Sequence, residues 1–296
     1  GLAGSLLVGL SFDKAVCYAV DKPLIAVNHL EGHIHAVLLE QRQKGNRELA
    51  FPVLALVVSG GHTHLYLAEQ KKNAWTYANI GRTRDDAAGE AFDKVAKLLG
   101  LGYPGGPVID NLAKSGDPSA VKFTPSQLKH RDRRDRGKAE EDRPRFDFSY
   151  SGIKTAVLRY VELHNMQPEI EARRKALLQI ESPAAGDYRR LCDRQTLDLI
   201  ASFQRAVVDD LVSKTLAAAD AYRVPTLLVT GGVAANSALR DAFARAAPPA
   251  GVDVFFPSRP LSTDNAAMVG AAAYPKFLAS DFAPLDISAD AGLVLR

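Results

Sequence analysis

Apolar and polar side chains recur with two periods along the chain, and the period changes at glycines and prolines. Apolar residues three and four positions apart predict amphipathic helices, whereas strict alternation or a short apolar run predicts a strand. The predicted helices are 2–20, 29–40, 87–99, 151–163, 196–222, 236–246 and 265–277, and the predicted strands are 24–27, 53–59, 62–68, 75–80, 226–230 and 252–256. Residues 103–107 are predicted to form a tight loop, and residues 165–190 to be irregular. This order predicts an α/β fold that binds its ligands at the glycine turns after the strands.

Composition narrows the class of protein without identifying it. The chain has 296 residues, of which 47% are hydrophobic and 24% charged, as in ordinary globular proteins. Its net charge of +3 is compatible with a nucleic-acid partner but does not require one. No apolar run approaches the roughly 18 residues of a membrane helix. Cys17 and Cys192, both expected on helices, indicate neither a disulfide framework nor a cysteine zinc site, so a cytoplasmic location is expected.

The run His-Leu-Glu-Gly-His at 29–33 is the first candidate for chemistry. On a helix His29 and His33 share one face, so both rings could bind one metal ion, or they could form a surface or capping pair. A zinc protease places its glutamate directly after the first histidine. Here Glu31 lies about 200° around the helix from that face, which argues against a protease. His35 also lies off the face.

Two glycine turns could hold an anion. Ser59-Gly60-Gly61 lies between two predicted strands, and Gly231-Gly232 joins a strand to a helix. Adjacent glycines let backbone N–H groups approach a phosphate or carboxylate closely, although a plain hairpin turn or strand–helix packing explains them as well. Asn236, at the start of the following helix, would contact a ribose or base edge, or would cap the helix.

Three acidic positions carry similar alternatives. Asp264, in the run Ser-Thr-Asp-Asn, would cap the last predicted helix or supply the anionic ligand that a two-histidine site lacks. Asp85 and Asp86 at a helix start would interact favourably with the positive end of the helix dipole. Asp93, one turn further along, could bind substrate hydroxyl or amino groups.

In this order the segments resemble the bacterial TsaD (Gcp) family, and the resemblance covers nearly the whole chain. Its motifs are GLAGSLLVG at 1–9, HLEGH at 29–33, SGGHT at 59–63, DDAAGEAFDK at 85–94, YPGGP at 103–107, FSYSGIKT at 148–155, GGVAAN at 231–236 and STDNAAM at 262–268. Each motif is modest alone, but the ordered set is specific.

The resemblance implies a two-lobed fold of the acetate kinase, Hsp70 and actin type (ASKHA), with the active site between the lobes. Residues 1–48, with residues 265–296 packing back on them, would form the remainder of the first lobe, and residues 49–264 the second. The chain starts at Gly1 rather than Met. The family's opening strands, which carry an acidic, threonine-rich phosphate hairpin, are therefore expected to be missing.

The resemblance also implies the site residues. His29, His33 and Asp264 would bind one divalent metal ion per chain, with Fe²⁺ expected and Zn²⁺ as the alternative, because an N/N/O set suits both. The donor would occupy a site formed by Val57, Val58, Ser59, Gly60, Gly61, Asp93, Gly106, Asp110 and Asn236. Backbone N–H groups of the Ser59-Gly60-Gly61 turn would hold its phosphate. No general base is implied.

The implied reaction transfers a threonylcarbamoyl group from threonylcarbamoyl-adenylate to N6 of the adenosine 3′ of the anticodon, in tRNAs reading codons that begin with A. AMP is released, and the modified nucleoside is threonylcarbamoyladenosine. The implied partners are tRNA, the paralogue TsaB and the ATPase TsaE. The apolar helix 2–20 would dock TsaB or form a dimer, or would pack only within its own lobe. The charged segment 129–145 would contact tRNA phosphates or form a solvated loop.

Three other functions stay open from the residues. A sugar or carboxylate kinase on the same fold would share the glycine turns and Asn236, but would not need His29, His33 and Asp264 to meet. A nucleotide-binding module without activity would also keep the turns. A protease, suggested by the old glycoprotease name of the family, is disfavoured by the position of Glu31 and by the lack of a nucleophile constellation.

Overall fold

One mixed β-sheet organises the chain. The computed structural model describes residues 3–45, 49–71, 74–124 and 145–295. Its strands are β1 (Val53–Val58), β2 (Thr63–Lys71), β3 (Ala74–Arg82), β4 (Thr226–Thr230) and β5 (Asp253–Phe255), in the spatial order β3-β2-β1-β4-β5. The first three strands pair antiparallel, and β1, β4 and β5 pair parallel. The predicted α/β class is confirmed.

Helices cover the sheet in the described parts of the chain. They are α1 (Ala3–Ala19), α2 (His29–Gln43), α3 (Ala88–Leu98), α4 (Gly105–Ala113), α5 (Ser151–Leu163), α6 (Gln167–Leu178), α7 (Ala185–Arg190), α8 (Arg194–Ala221), α9 (Ser237–Ala246), α10 (Arg259–Ser262) and α11 (Ala266–Leu278). Short 3-10 turns occupy Gly232–Ala235 and Pro248–Ala250. No helix in these ranges is long and apolar enough to cross a membrane.

The central strand β1 divides the hydrophobic core in two. All its side chains are fully buried, because both faces of the sheet are covered. Leu54, Leu56 and Val58 face the larger cluster, to which α3, α4, α8 and α9 contribute. Val53, Ala55 and Val57 face the smaller cluster, which contains the apolar side chains of α2.

Helix α2 lies between the sheet and α11. It contacts both β4 and α11. At the end of β4 the Thr230 hydroxyl donates a hydrogen bond of 2.7 Å to the carbonyl of His33. These contacts hold the HLEGH motif at 29–33 at the end of the parallel strands, beside the glycine turn that follows β4. The division of the chain into two lobes stays a prediction.

Four sequence predictions were wrong. Residues 24–27 are not a strand, since only Leu24 bridges to Ala283. The loop predicted at 103–107 ends early, because α4 begins at Gly105. Residues 165–190 contain α6 and α7 rather than irregular chain. Cys192 is buried between α7 and α8, not on a helix.

The missed helix α6 shows why periodicity failed. Its buried positions are Ile170 and Arg173, so half of its inward face is polar. The Arg173 guanidinium is buried, where it donates to the carbonyls of Leu99 and Leu191 and to the Thr196 hydroxyl. An arginine that fills the place of an apolar residue removes the pattern that predicts an amphipathic helix.

The segment 129–145, predicted to be a basic contact or a solvated loop, lies outside the described residues except for Arg145. That residue pairs with Asp147 at 3.2 Å and donates to the side chain of Asn79 on β3. It therefore belongs to the packed fold.

Candidate metal centre and adjoining cleft

His29 and His33 are held at the start of α2. The Asn28 side chain caps this helix by accepting a hydrogen bond of 2.9 Å from the N–H of Leu30. The helix places the two histidines on one face, as the spacing predicts, and their ring centroids are 4.8 Å apart. His33 is almost completely buried, whereas His29 is partly exposed.

Asp264 approaches this pair from the segment between α10 and α11. The N-cap of α11 is Asn265, whose side chain accepts from the N–H of Met268 at 2.9 Å. Asp264 is therefore not a capping residue, and its carboxylate faces the histidines. Its Oδ1 atom lies 3.5 Å from His29 Nε2 and 3.2 Å from His33 Nε2.

The three side chains fit a bound cation. Their ligand atoms lie within 4.8 Å of one another. With metal–nitrogen distances of about 2.1 Å, tetrahedral ligand atoms stand about 3.4 Å apart, close to the two observed separations. Among the described residues neither buried ring nitrogen of His33 has a hydrogen bond of good geometry, although Asp264 Oδ1 lies 3.2 Å from Nε2. Buried polar atoms without partners are costly, and an ion would satisfy Nε2.

Electrostatics keep both histidines in the form that binds metals. Burial, and then the neighbouring His29, lower the pKa of His33 to about 4, against an opposing effect of Asp264. Burial also lowers the pKa of His29, again opposed by Asp264. Both rings are thus neutral at neutral pH and have a lone pair available.

Glu31 and His35 point away from the histidine pair. Glu31 Oε2 lies 3.8 Å from Lys276 Nζ on α11, and burial raises the pKa of this carboxyl group. The His35 ring contacts the hydroxyl of Tyr77 on β3 at 3.2 Å. The structure therefore agrees with the argument against a zinc protease.

A cleft of about 570 Å³ lies near the three side chains, although none of His29, His33 and Asp264 lines it. Thr263, the neighbour of Asp264, lies on its wall, as does Gly60 of the first glycine turn. The other lining residues are Gly89, Phe92, Asp93, Tyr103, Pro104, Gly106, Pro107, Asp110, Asn111, Lys114, Gly232, Val233, Ala235, Asn236 and Arg259. The cleft thus lies between the turn after β1, the start of α4 and the turn after β4.

Most of the predicted donor residues meet at this cleft. Gly60, Asp93, Gly106, Asp110 and Asn236 line it. The other four predicted residues do not: Val57 and Val58 are buried in β1, and Ser59 and Gly61 flank Gly60 without reaching the wall. The valine side chains can therefore act only by supporting the turn.

Hydrogen bonds within the protein already use part of the polar lining. Asp93 Oδ1 accepts from the N–H of Gly105 at 2.8 Å, and Asp110 accepts from the N–H and hydroxyl of Ser237. The amide group of Asn236 donates to Gln204 at 2.8 Å and accepts from the N–H of Leu239 at 3.0 Å. The predicted capping role of Asn236 is thus observed, and its contact with a ligand stays a prediction.

The first glycine turn leaves two N–H groups free. Ser59 donates to the carbonyl of His62 at 2.8 Å, and its hydroxyl accepts from the N–H of His62. The carbonyl of Ser59 accepts from Gly89 at the start of α3. The N–H groups of Gly60 and Gly61 have no partner in the described parts of the chain. Two N–H groups, rather than the three of the whole turn, can therefore bind an anion.

The second glycine turn is required by packing. Gly231 has φ +95, and a Cβ atom built on it would lie 2.4 Å from the carbonyl oxygen of Val58. Only glycine lets the turn after β4 pass so close to the end of β1. This approach brings Gly232 onto the cleft wall opposite α4.

Two lining residues, Lys114 and Arg259, belong to no sequence motif, and the motif that contains Tyr103 predicted only a turn. Tyr103, Lys114 and Arg259 reach the cleft from a loop, from the C-cap of α4 and from the first position of α10. A hydrophobic pattern carries no information about exposed side chains at element ends, so nothing in the sequence marked the two cations.

His64 offers a pH test of this region. Its Nδ1 atom lies 3.2 Å from the amide nitrogen of Asn79, and the amide oxygen of Asn79 accepts from Arg145. Asn79 therefore donates to His64, whose Nδ1 must be unprotonated. Burial first, and then the charges of His62 and Arg82, lower the pKa of His64 to about 4.

We expect the stability that His64 contributes to be complete above about pH 6.5, the value of an unfolded histidine, and to be lost as the pH falls towards 4. The reason is that the unfolded chain binds the proton more readily than the folded chain. Urea midpoints measured between pH 7 and 4 should therefore fall less steeply for His64→Gln than for the parent. Equal slopes would show that the folded chain protonates His64 as readily as the unfolded chain does.

Comparison with known proteins identifies relatives that align with all or nearly all of this chain. A family model described as tRNA N6-adenosine threonylcarbamoyltransferase (TsaD) matches residues 1–271. A curated protein of that name from Koribacter versatilis is 69% identical over 296 residues, which is all of this chain and 78% of the relative. Those from Moorella thermoacetica and Syntrophotalea carbinolica are each 45% identical, over 100% and 98% of this chain and 74% and 71% of their own lengths.

Proposed function

Because the chain belongs to the TsaD family of tRNA N6-adenosine threonylcarbamoyltransferases, we propose that it takes its threonylcarbamoyl group from threonylcarbamoyl-adenylate and releases AMP. The acceptor is N6 of the adenosine 3′ of the anticodon in tRNAs that read codons beginning with A. We place the reaction in the cytoplasm, where these tRNAs act.

The meeting of His29, His33 and Asp264 beside the cleft is the observation that carries the proposal. The three side chains come from α2 and from the segment before α11, which are far apart in sequence. They would hold one divalent ion per chain, Fe²⁺ in our proposal, with Zn²⁺ as the alternative. When bound, such an ion supplies a Lewis acid and a template for oxygen atoms of the donor.

The transfer itself is an acyl substitution. The N6 amine of the adenosine forms a bond to the carbamoyl carbon of the mixed anhydride. The bond from that carbon to the phosphate oxygen breaks, and AMP leaves with the electron pair. The amine releases one proton, which we assign to no side chain of the protein.

The chain's own contribution is to hold and orient the donor. The free N–H groups of Gly60 and Gly61 would bind the phosphate as a preorganised anion site, where they offset the developing charge of the leaving AMP. The oxygen of Asp93 that does not bind Gly105 would accept from a hydroxyl or amino group of the donor. Asp110 and Asn236 would shape the wall, because their polar atoms already bind Ser237, Gln204 and Leu239.

The acceptor must reach this site as an extruded base. An adenosine stacked in an anticodon loop cannot place N6 inside a cleft, so the nucleotide has to be splayed out. We also propose the two-lobed ASKHA fold with the lobe boundaries given above. A cleft between two such lobes would be open to an extruded base.

Helix α1 is the proposed contact with partner proteins. None of its residues is buried, and the large apolar side chains that it exposes are Leu7, Val8, Phe12, Val16 and Tyr18. An apolar surface of this kind marks a protein contact. We assign it to the paralogue TsaB, with a second copy of this chain as the alternative, and we expect the ATPase TsaE to act on that assembly.

The test is a reconstituted transfer. Purified chain, charged with Fe²⁺ and supplied with TsaB, TsaE, ATP, tRNA and threonylcarbamoyl-adenylate, should form threonylcarbamoyladenosine in the tRNA and AMP in equal amounts. Nucleoside mass spectrometry of the digested tRNA and chromatography of the nucleotides measure both products, and ATP without the donor corrects for nucleotide hydrolysis. AMP release without modified tRNA would contradict the proposal. Phosphorylation of a sugar or carboxylate by ATP would favour the kinase.

A further inference from the structure

The mouth of the cleft carries an exposed aromatic side chain. Tyr103 lines the cleft, yet 82% of its surface is accessible to solvent. It stands in the short loop between α3 and α4, after Gly102, so its ring is not part of either hydrophobic cluster. A large aromatic ring left in water at the edge of a binding site is available to stack on a planar group.

Two cations from different helices line the same cleft as this ring. Lys114 belongs to the α4 wall, and Arg259 to the wall formed by α10 and the turn after β4. Both are exposed, and neither has an ion-pair partner in the described parts of the chain. Lys94, by contrast, pairs with Asp86 and Glu90. Two such cations at one cleft favour an anionic ligand.

We infer that Tyr103, Lys114 and Arg259 form a binding site for single-stranded RNA at the cleft mouth, with Tyr103 stacking on an unpaired base beside the target adenosine and the two cations contacting backbone phosphates. The inference rests on the proposed function, since it names residues that would hold the acceptor of that reaction. Sequence-independent RNA grooves combine these two features, aromatic rings for bases and cations for phosphates.

The position of the three residues favours RNA over the donor nucleotide. In the proposed function, the donor phosphate is bound by the free N–H groups of Gly60, which lines the floor of the cleft, and of Gly61 beside it. Side chains as exposed as Tyr103, Lys114 and Arg259 lie outside that floor, where a macromolecule reaches them. A paired base offers no free face for stacking, so the ligand is a single-stranded loop rather than a duplex.

Binding of a synthetic 17-nucleotide anticodon stem–loop, measured by fluorescence anisotropy on the full chain, tests the inference. Tyr103→Ala should weaken binding about tenfold, as expected for the loss of one stacked base, while Tyr103→Phe, which keeps the ring, should stay within about twofold. Lys114→Ala and Arg259→Ala should each weaken binding and reduce the slope of log K against log salt by about 0.7, the contribution of one phosphate contact. Arg174→Ala and Lys175→Ala on α6, exposed cations away from the cleft, are the matched controls and should bind like the parent.

A second titration with AMP separates the outcomes. The three variants should bind AMP as the parent does. Weakened AMP binding with unchanged stem–loop binding would assign the residues to the donor and overturn the inference, as would variants that bind both ligands normally. In either case a parent enzyme that still modifies tRNA would leave the proposed function standing. A parent that neither binds the stem–loop nor modifies tRNA would overturn both.

Discussion

Substitution of His33 by alanine is expected to remove the bound metal ion and to lower threonylcarbamoyl transfer at least about 100-fold. In the proposed site the imidazole is one of three protein ligands, and its ring is almost completely buried with Nε2 3.2 Å from Asp264 Oδ1. Loss of a Lewis acid costs several kcal/mol in the transition state, and each 1.4 kcal/mol corresponds to a factor of about ten. Elemental analysis of the purified chain and mass spectrometry of the modified nucleoside measure the two effects.

The fold provides a control for this substitution. His64→Gln changes a nearby histidine that lies outside the three-residue cluster, and it should keep one ion per chain. Removal of the ion by a chelator should lower the melting temperature of the parent, because a ligand that binds only the folded state stabilises it. The same treatment should leave the melting temperature of His33→Ala unchanged. A His33→Ala protein that retains one ion per chain would contradict the assignment of the site.

Alanine at two adjacent glycines should have opposite effects. At Gly105 a Cβ atom would lie 2.5 Å from the Cβ atom of Ala96 and 2.8 Å from the carbonyl oxygen of Phe92, so α3 and α4 must separate. We expect Gly105→Ala to lower the free energy of unfolding by about 1–3 kcal/mol. At Gly106 the corresponding atom meets nothing within 4 Å and points into open space on the cleft wall. We expect Gly106→Ala to keep or slightly raise stability, since alanine is the better helix former by about 1 kcal/mol.

The functional effect of Gly106→Ala separates a ligand surface from a structural one. Its added methyl group occupies space that the donor would use, so binding of AMP should weaken about tenfold or more, a cost of about 1.4 kcal/mol. Urea unfolding and isothermal titration with AMP measure the two properties on the same samples. A Gly106→Ala protein that is stable and binds AMP normally would show that the donor does not contact this wall.

The sequence predicted the framework of the site better than its details. Strong periodicity located α5 at its observed bounds and found both glycine turns, because helical and extended chains impose their periods locally. It missed α6, whose buried face includes Arg173, and it placed the start of α4 in a loop, because two glycines and a proline begin that helix. Glycine and proline are poor helix formers, so only the packing of α4 on α3 and α8 accounts for the helix there.

What the sequence determined by itself is the local chemistry and the family. The spacing of His29 and His33 determined that they share a helix face, and the ordered motifs determined the relatives. The tertiary structure decided how close Asp264 comes to this pair, that Asn236 serves as a cap, and that Lys114 and Arg259 line one cleft without an ion-pair partner among the described residues. The physical reason is the distance along the chain between the residues that interact. Neighbours along a helix are set by a fixed rise and turn per residue, whereas groups distant in the chain meet only through the packing of whole strands and helices.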